Sequence, residues 1–189
     1  MIVRFKEIEK KVKNLKKNGK KIVLCHGGFD LIHPGHLDHL KKAKSFGDIL
    51  IVSTTGDDYF EKGIGRPFYN EKKRTIFLNS IKYVDYVTVI PFKYAKEAIL
   101  KIKPDVYCKG FEYKNNNNQN FSDDVKAVNK IKGKIHFIGN NIESSTKIIE
   151  KKNNFKKIDN KITISDIQTE FKKIKNKKIL VIGETILDI

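Results

Sequence analysis

Tryptophan is absent from this chain of 189 residues, and cysteine, methionine and proline are scarce, at two, one and four residues. Two cysteines, Cys25 and Cys108, exclude a disulfide scaffold, and both lie in strand-like runs where a buried, reduced thiol is expected. No apolar run approaches the roughly 18 residues that a membrane-spanning helix requires. The opening Met1-Ile2-Val3-Arg4-Phe5-Lys6 has neither the apolar core nor the small-residue cleavage site of a secretory leader. A soluble, cytoplasmic protein is expected. Arginine is rare as well: Arg4, Arg66 and Arg74 stand alone, so the formal net charge of +17 is lysine scattered over every predicted helix. A nucleic-acid surface favours clustered arginine interleaved with aromatics, so a nucleic-acid partner is not expected. A general attraction for polyanionic small molecules such as nucleotides remains.

What is present is a regular alternation. Phe5, Ile8, Val12 and Leu15 recur at helical spacing and Gly19 follows as a stop, which predicts an amphipathic opening helix. Lys21 to His26, Asp48 to Thr54, Asp85 to Ile90, Asp105 to Lys109 and Lys134 to Gly139 are strand-like runs, most of them separated by helix-length segments. Strand alternating with helix implies parallel pairing through right-handed crossovers, hence an α/β fold with a doubly wound parallel sheet. Ligands in such sheets bind beyond the carboxyl ends of the strands at the topological switch point, which directs attention to the loop after the first strand. Asn115 to Asn120, polar and of low complexity, predicts a surface loop. Residues 153–177 read as a Lys/Asn-rich linker and a helix around Ile164 to Ile174, followed by a sixth strand at Lys178 to Gly183.

After the first strand come Cys25-His26-Gly27-Gly28-Phe29-Asp30-Leu31-Ile32-His33-Pro34-Gly35-His36. Gly27 and Gly28 let backbone approach a ligand with no Cβ between. Pro34 holds its own φ near −65° and pushes His33 into an extended conformation, so a helix is predicted to begin directly after it. Two imidazoles beside the positive end of a helix dipole and its free amide groups make a site for phosphate.

The run Gly27-Gly28-Phe29-Asp30-Leu31-Ile32-His33-Pro34-Gly35-His36 resembles the glycine-to-histidine signature of cytidylyltransferase-like nucleotidyltransferases. Gly65-Arg66-Pro67, Glu71, Arg74, Lys103-Pro104-Asp105-Val106-Tyr107-Cys108-Lys109-Gly110 and Ser144-Ser145-Thr146 resemble, in order and spacing, the adenylyltransferase domain of bifunctional heptose enzymes. The resemblance implies a Rossmann-like nucleotidyltransferase fold over residues 1–152, with an N-terminal helix and a C-terminal extension. The implied reaction joins AMP or CMP, drawn from ATP or CTP with Mg²⁺, to a sugar phosphate and releases pyrophosphate. It also implies that His33 and His36 contact the triphosphate, with Lys42 or Lys44 on the following helix adding a cation. Gly27, Gly28, Phe29, Asp30, Gly35, Lys109, Gly110 and the Ser144-Ser145-Thr146 cluster would hold the nucleotide, and Arg66 with Asp30 would face the acceptor. Asp30 also reads as a residue packed beneath the loop, and Arg74 as a structural ion-pair partner. Relatives carry an arginine shortly before the serine cluster, whereas this chain has Asn141-Ile142-Glu143. Ile179 to Asp188 resembles the opening strand of ribokinase-like sugar kinases, so residues 178–189 read as the start of a second, truncated domain.

A zinc hydrolase is the rival of a different class, because His26, His33, His36 and His39 crowd one stretch. Pro34-Gly35 between two of them suits an anion loop better than a tetrahedral cage, and no His-Glu-x-x-His arrangement occurs. A nucleotide-binding module without turnover and a glycerol-3-phosphate cytidylyltransferase are also compatible with the glycine-to-histidine run. Homodimerisation is left open.

Overall fold

The five apolar runs become the strands of one sheet: β1 (Ile22–Gly27), β2 (Ile49–Thr55), β3 (Tyr86–Ile90), β4 (Val106–Gly110) and β5 (Lys134–Ile138). The computed structural model describes residues 1–61, 63, 65–114 and 119–139. Within them lie α1 (Phe5–Lys17), α2 (Pro34–Lys44), α3 (Glu71–Asn79), α4 (Lys96–Ile102) and α5 (Gln119–Lys130). All strand pairs are parallel and their spatial order is β3-β2-β1-β4-β5. The chain winds outward from β1 to β3, then returns to β1's other side for β4 and β5. The direction of winding therefore reverses between β1 and β4, and the loops leaving those two strands part there to open a crevice.

Alternation of side chains along the strands builds a core on each face. Ile22 and Leu24 of β1 join Ile51, Tyr107, Ile8, Val12, Ile99 and Val128 on the side of α1, α4 and α5. Val23 and Cys25 join Val52, Cys108, Leu40 and Leu78 on the side of α2 and α3. Both faces are covered, which is why the strand sequences read as nearly unbroken apolar runs.

The amino ends of the strands are tied by carboxylates. Asp48, Asp85 and Asp105 each stand one residue before a strand and accept an amide N–H at the start of the neighbouring strand or from the residue directly before it. The bonds run from Lys21 to Asp48 at 2.8 Å, from Leu50 to Asp85 at 2.7 Å and from Ile22 to Asp105 at 2.7 Å. The strand-like runs therefore begin one residue later than their leading aspartates suggest, because those side chains serve the sheet from outside it. At the edge, Val3 N–H donates to Val87 C=O and Val87 N–H to Met1 C=O, so the chain's first residues cover β3.

The polar loop is shorter than its composition suggests, since Gln119 and Asn120 already belong to α5. Asn115 to Asn118, the helix expected around Ile164 to Ile174, the strand at Lys178 to Gly183 and the divisions at 152 and 177 lie outside the described residues.

Candidate active site

The loop after β1 ends as Pro34 dictates. His33 is extended, with φ −137° and ψ 168°, and α2 starts at Pro34. The His33 backbone N–H donates to His36 Nδ1 at 3.3 Å, and the His36 N–H donates to the His33 carbonyl at 2.8 Å. An Nδ1 that accepts cannot carry the proton, so the neutral His36 ring bears it on Nε2 and presents a donor there. The two imidazoles lie 3.9 Å apart between centroids, and the His36 ring is 5.4 Å from that of Phe29. Phe29 adopts φ +46°, and a Cβ on Gly27 would sit 3.2 Å from its ring, a tight contact that glycine avoids. His33, His36, Phe29, Gly27, Gly28 and Gly35 thus converge at the carboxyl end of β1.

Arg74 holds this loop from beneath. Its side chain is fully buried and donates to Gly28 C=O at 2.6 Å, Thr54 Oγ1 at 2.6 Å, Thr55 C=O at 2.7 Å, Tyr69 C=O at 3.0 Å and Asp57 Oδ1 at 2.7 Å. The guanidinium also lies 4.9 Å from the Phe60 ring centroid. Asp57 and Glu71 exchange backbone-to-carboxylate bonds at 2.9 and 3.0 Å, fixing the start of α3 against the end of β2. Arg74 is therefore structural. A lysine-rich chain that retains arginine signals a need for a planar, multidentate donor, and that is the signal by which its role could have been read.

Asp30 is buried and paired with Arg66, and its Oδ1 accepts the Tyr69 N–H at 3.0 Å. These two expected acceptor-side residues do meet, with the acid as the anchor and Arg66, 14% exposed at its side chain, nearer the surface. A cavity of about 450 Å³ lies at the carboxyl ends of β2 and β3, with Arg4, Lys6, Asp58, Tyr59, Glu71 and Lys101 among its lining.

The remaining histidines go elsewhere. His26 Nδ1 meets Ser53 Oγ at 3.0 Å, and His39 Nε2 lies 3.6 Å from Cys25 Sγ. Burial, helped by the Lys109 charge, lowers the His39 pKa to about 4, so the ring is neutral. Burial raises the Cys25 thiol pKa well above its ordinary value. Among the described residues no three His, Cys, Asp or Glu side chains are grouped to hold a metal ion.

At the carboxyl end of β4, Lys109 Nζ lies 3.4 Å from Tyr107 Oη, 3.9 Å from Asp124 Oδ2 and 4.4 Å from the Tyr113 ring centroid. Tyr107 Oη donates to Asp124 Oδ2 at 3.0 Å. Burial raises the pKa of Asp124, against the opposing pull of Lys109, and burial with the Asp124 charge raises that of Tyr107 well above the usual range. Asp124, far from any motif, was not legible as part of this group.

The expectation for Lys42 and Lys44 is corrected. Lys44 Nζ binds Asp85 Oδ2 and Asp48 C=O, both at 2.5 Å, among the amino ends of the strands, and Lys42 Nζ lies 5.5 Å from the Phe46 ring centroid. A helix of 11 residues is about 16 Å long, so its last turn is carried to the opposite end of the sheet from His33. Ser144, Ser145 and Thr146 lie outside the described residues.

Residues 24–153 match the family model described as cytidylyltransferase-like. The chain is 39% identical over 134 residues to the bifunctional protein HldE of Aliarcobacter butzleri, covering 69% of this chain and 28% of that protein. It is 36% identical over 151 residues to the protein of the same name from Nitratiruptor sp., covering 78% and 31%. The chain thus spans less than a third of the length of these two relatives. Among solved structures, the lipopolysaccharide core biosynthesis protein of Thermoplasma volcanium aligns with a TM-score of 0.53 at 24% identity, over 65% of this chain and all of that one. Pantoate-beta-alanine ligase from Francisella tularensis aligns with a TM-score of 0.57 at 19% identity, over 93% and 78%. The parallel sheet and a family match across most of the chain lead to one conclusion: this chain belongs to the cytidylyltransferase-like family.

Proposed function

We propose that this chain transfers AMP or CMP from ATP or CTP to a sugar phosphate of heptose 1-phosphate type and releases pyrophosphate. The observation that carries the reading is the His33–His36 pair at the amino end of α2, beside the crevice between β1 and β4. A phosphate oxygen of the acceptor attacks the α-phosphorus in line. The bond from that phosphorus to the oxygen bridging it to the β-phosphate breaks, and pyrophosphate leaves with the electron pair. The Nε2–H of His36, the His33 ring and the first amides of α2 stabilise the charge that develops on the phosphate oxygens, each such donor being worth about 2.7–4 kcal/mol of barrier. Gly27 and Gly28 let the triphosphate lie close to the backbone. Lys109 and Gly110 contact the nucleotide.

Among the described residues no cluster of His, Cys, Asp or Glu is grouped to hold a metal ion, so magnesium would come with the triphosphate, and the chemistry it would supply is neutralisation of phosphate charge. The cavity beyond β2 and β3 has the size and mixed lining for a phosphorylated sugar: cations for phosphate, and Asp58 and Glu71 for hydroxyl groups. Arg66, held by Asp30, is a further residue we assign to the acceptor. Similarity to proteins named bifunctional is consistent with an acceptor made by a partner activity of the same polypeptide.

The test is a matrix of ATP and CTP against heptose 1-phosphate and glycerol 3-phosphate, read out as pyrophosphate. Release that requires both substrates and is faster with the heptose phosphate supports the reading. Preference for glycerol 3-phosphate assigns the chain to the other acceptor class. Nucleotide binding by titration with no release under any pairing makes it a binding module.

A further inference from the structure

Asp124 is an unusual residue to find where it is. It is 3% exposed, its Oδ2 takes the Tyr107 hydroxyl, and its Oδ1 is buried without a hydrogen-bond partner among the described residues. A buried carboxylate with an unsatisfied oxygen is destabilising unless a charge compensates it. A neutral acceptor would satisfy the Tyr107 hydroxyl equally well, so that bond alone does not account for the negative charge. The compensating charge is Lys109, whose Nζ is 3.9 Å from Oδ2 and also touches Tyr107 Oη and the face of Tyr113. Register places this lysine at the mouth of the site: Cys108 pairs with Cys25, so Lys109 stands beside His26, directly before Gly27 and Gly28. Lysine is a long, flexible cation, and left alone its head samples many positions. Here a carboxylate from α5, a hydroxyl from β4 and an aromatic face confine it at the crevice.

We propose that Asp124 is the positioning residue for Lys109, acting with Tyr107 to hold the ammonium group where a nucleotide meets the end of β4. This rests on the reading of Lys109 as a nucleotide contact. In the absence of ligand the pair is nearly neutral, and binding of the triphosphate recruits a cation already placed, so ordering of the side chain does not have to accompany binding.

The experiment is a double-mutant cycle in the full chain, with dissociation constants for MgATP and MgCTP from calorimetric titration, the tighter being used, and KM and kcat from pyrophosphate release. Lys109→Met is expected to raise Kd and KM about tenfold or more, the scale of one charge-assisted hydrogen bond. Asp124→Asn is expected to raise them roughly fivefold in the parent chain, with kcat changed by less than about twofold, and not to raise them further in the Lys109→Met background. Tyr107→Phe, which keeps the buried ring, is expected to act in the same direction and gives the same cycle if Asp124→Asn folds poorly. A full effect of Asp124→Asn persisting on Lys109→Met would overturn the inference while leaving the role of Lys109 standing. No change in Kd or KM for Lys109→Met would overturn that role, and the inference with it.

Discussion

Arg74 makes the sharpest claim on stability, because one side chain closes hydrogen bonds to five separate acceptors drawn from the β1 loop, the end of β2, the residues before α3 and the Asp57 turn. Arg74→Lys keeps the charge but offers at most three donors from a single nitrogen, so at least two acceptors lose a partner. Gly28 C=O retains its bond from Thr54 Oγ1 at 3.0 Å, and Asp57 is 34% exposed at its side chain and can turn to water. The unrelieved losses then fall on Tyr69 C=O and Thr55 C=O, at about 1–3 kcal/mol each, for a total of roughly 2–6 kcal/mol. Arg74→Met removes every donor and should cost at least as much as Arg74→Lys. In a domain of this size a loss of about 2–6 kcal/mol is a fall in Tm of roughly 4–24 °C, followed by far-UV circular dichroism because the chain has no tryptophan. Catalysis should suffer in proportion to the displacement of Gly28, even at temperatures where the variants are folded. Both variants melting within about 2 °C of the parent would show that these bonds do not hold the loop.

His36→Ala should lower kcat by roughly 10²-fold with Tm nearly unchanged, whereas near-normal turnover in the purified variant would remove His36 from the reaction. His39 is held neutral with a folded pKa of about 4, below the ordinary histidine value, so the unfolded chain binds its proton first as pH falls. Stability present at neutral pH should therefore decline from about pH 6.5 towards about pH 4, by an amount on the order of 3 kcal/mol, and His39→Leu should flatten that part of the urea-midpoint profile. Cys25 and Cys108 are buried and unbridged, so a maleimide should label neither in the native protein and both after unfolding; rapid native labelling would contradict the packing of α2 on the sheet.

The strands were legible because a sheet covered on both faces leaves continuous apolar runs, and the crevice followed from the order of elements. The head of α2 was legible because Pro34 acts locally, on its own φ and on the residue before it. Lys42 and Lys44 were misplaced because proximity in sequence is not proximity in space once a helix intervenes. Asp124 was hidden for the opposite reason: it meets Tyr107, brought to it by the fold across 17 residues, and although Arg74 was legible as a structural ion-pair partner, its reach to Gly28 across 46 residues was not. A buried charge of that kind has no local pattern, and only the rarity of arginine in a lysine-rich chain hinted at one of the two.

The aspartates at the foot of the sheet divide the molecule's work between its two poles. Asp48, Asp85 and Asp105 set the alignment of adjacent strands from the side opposite the proposed site, so strand register owes little to the loops at the other side. Those loops can then lengthen, shorten or change composition while β1 and β4 continue to frame the same crevice. On the proposed reading, divergence in acceptor choice needs only the upper loops to vary, while the proposed reaction stays anchored to a frame that such variation does not disturb.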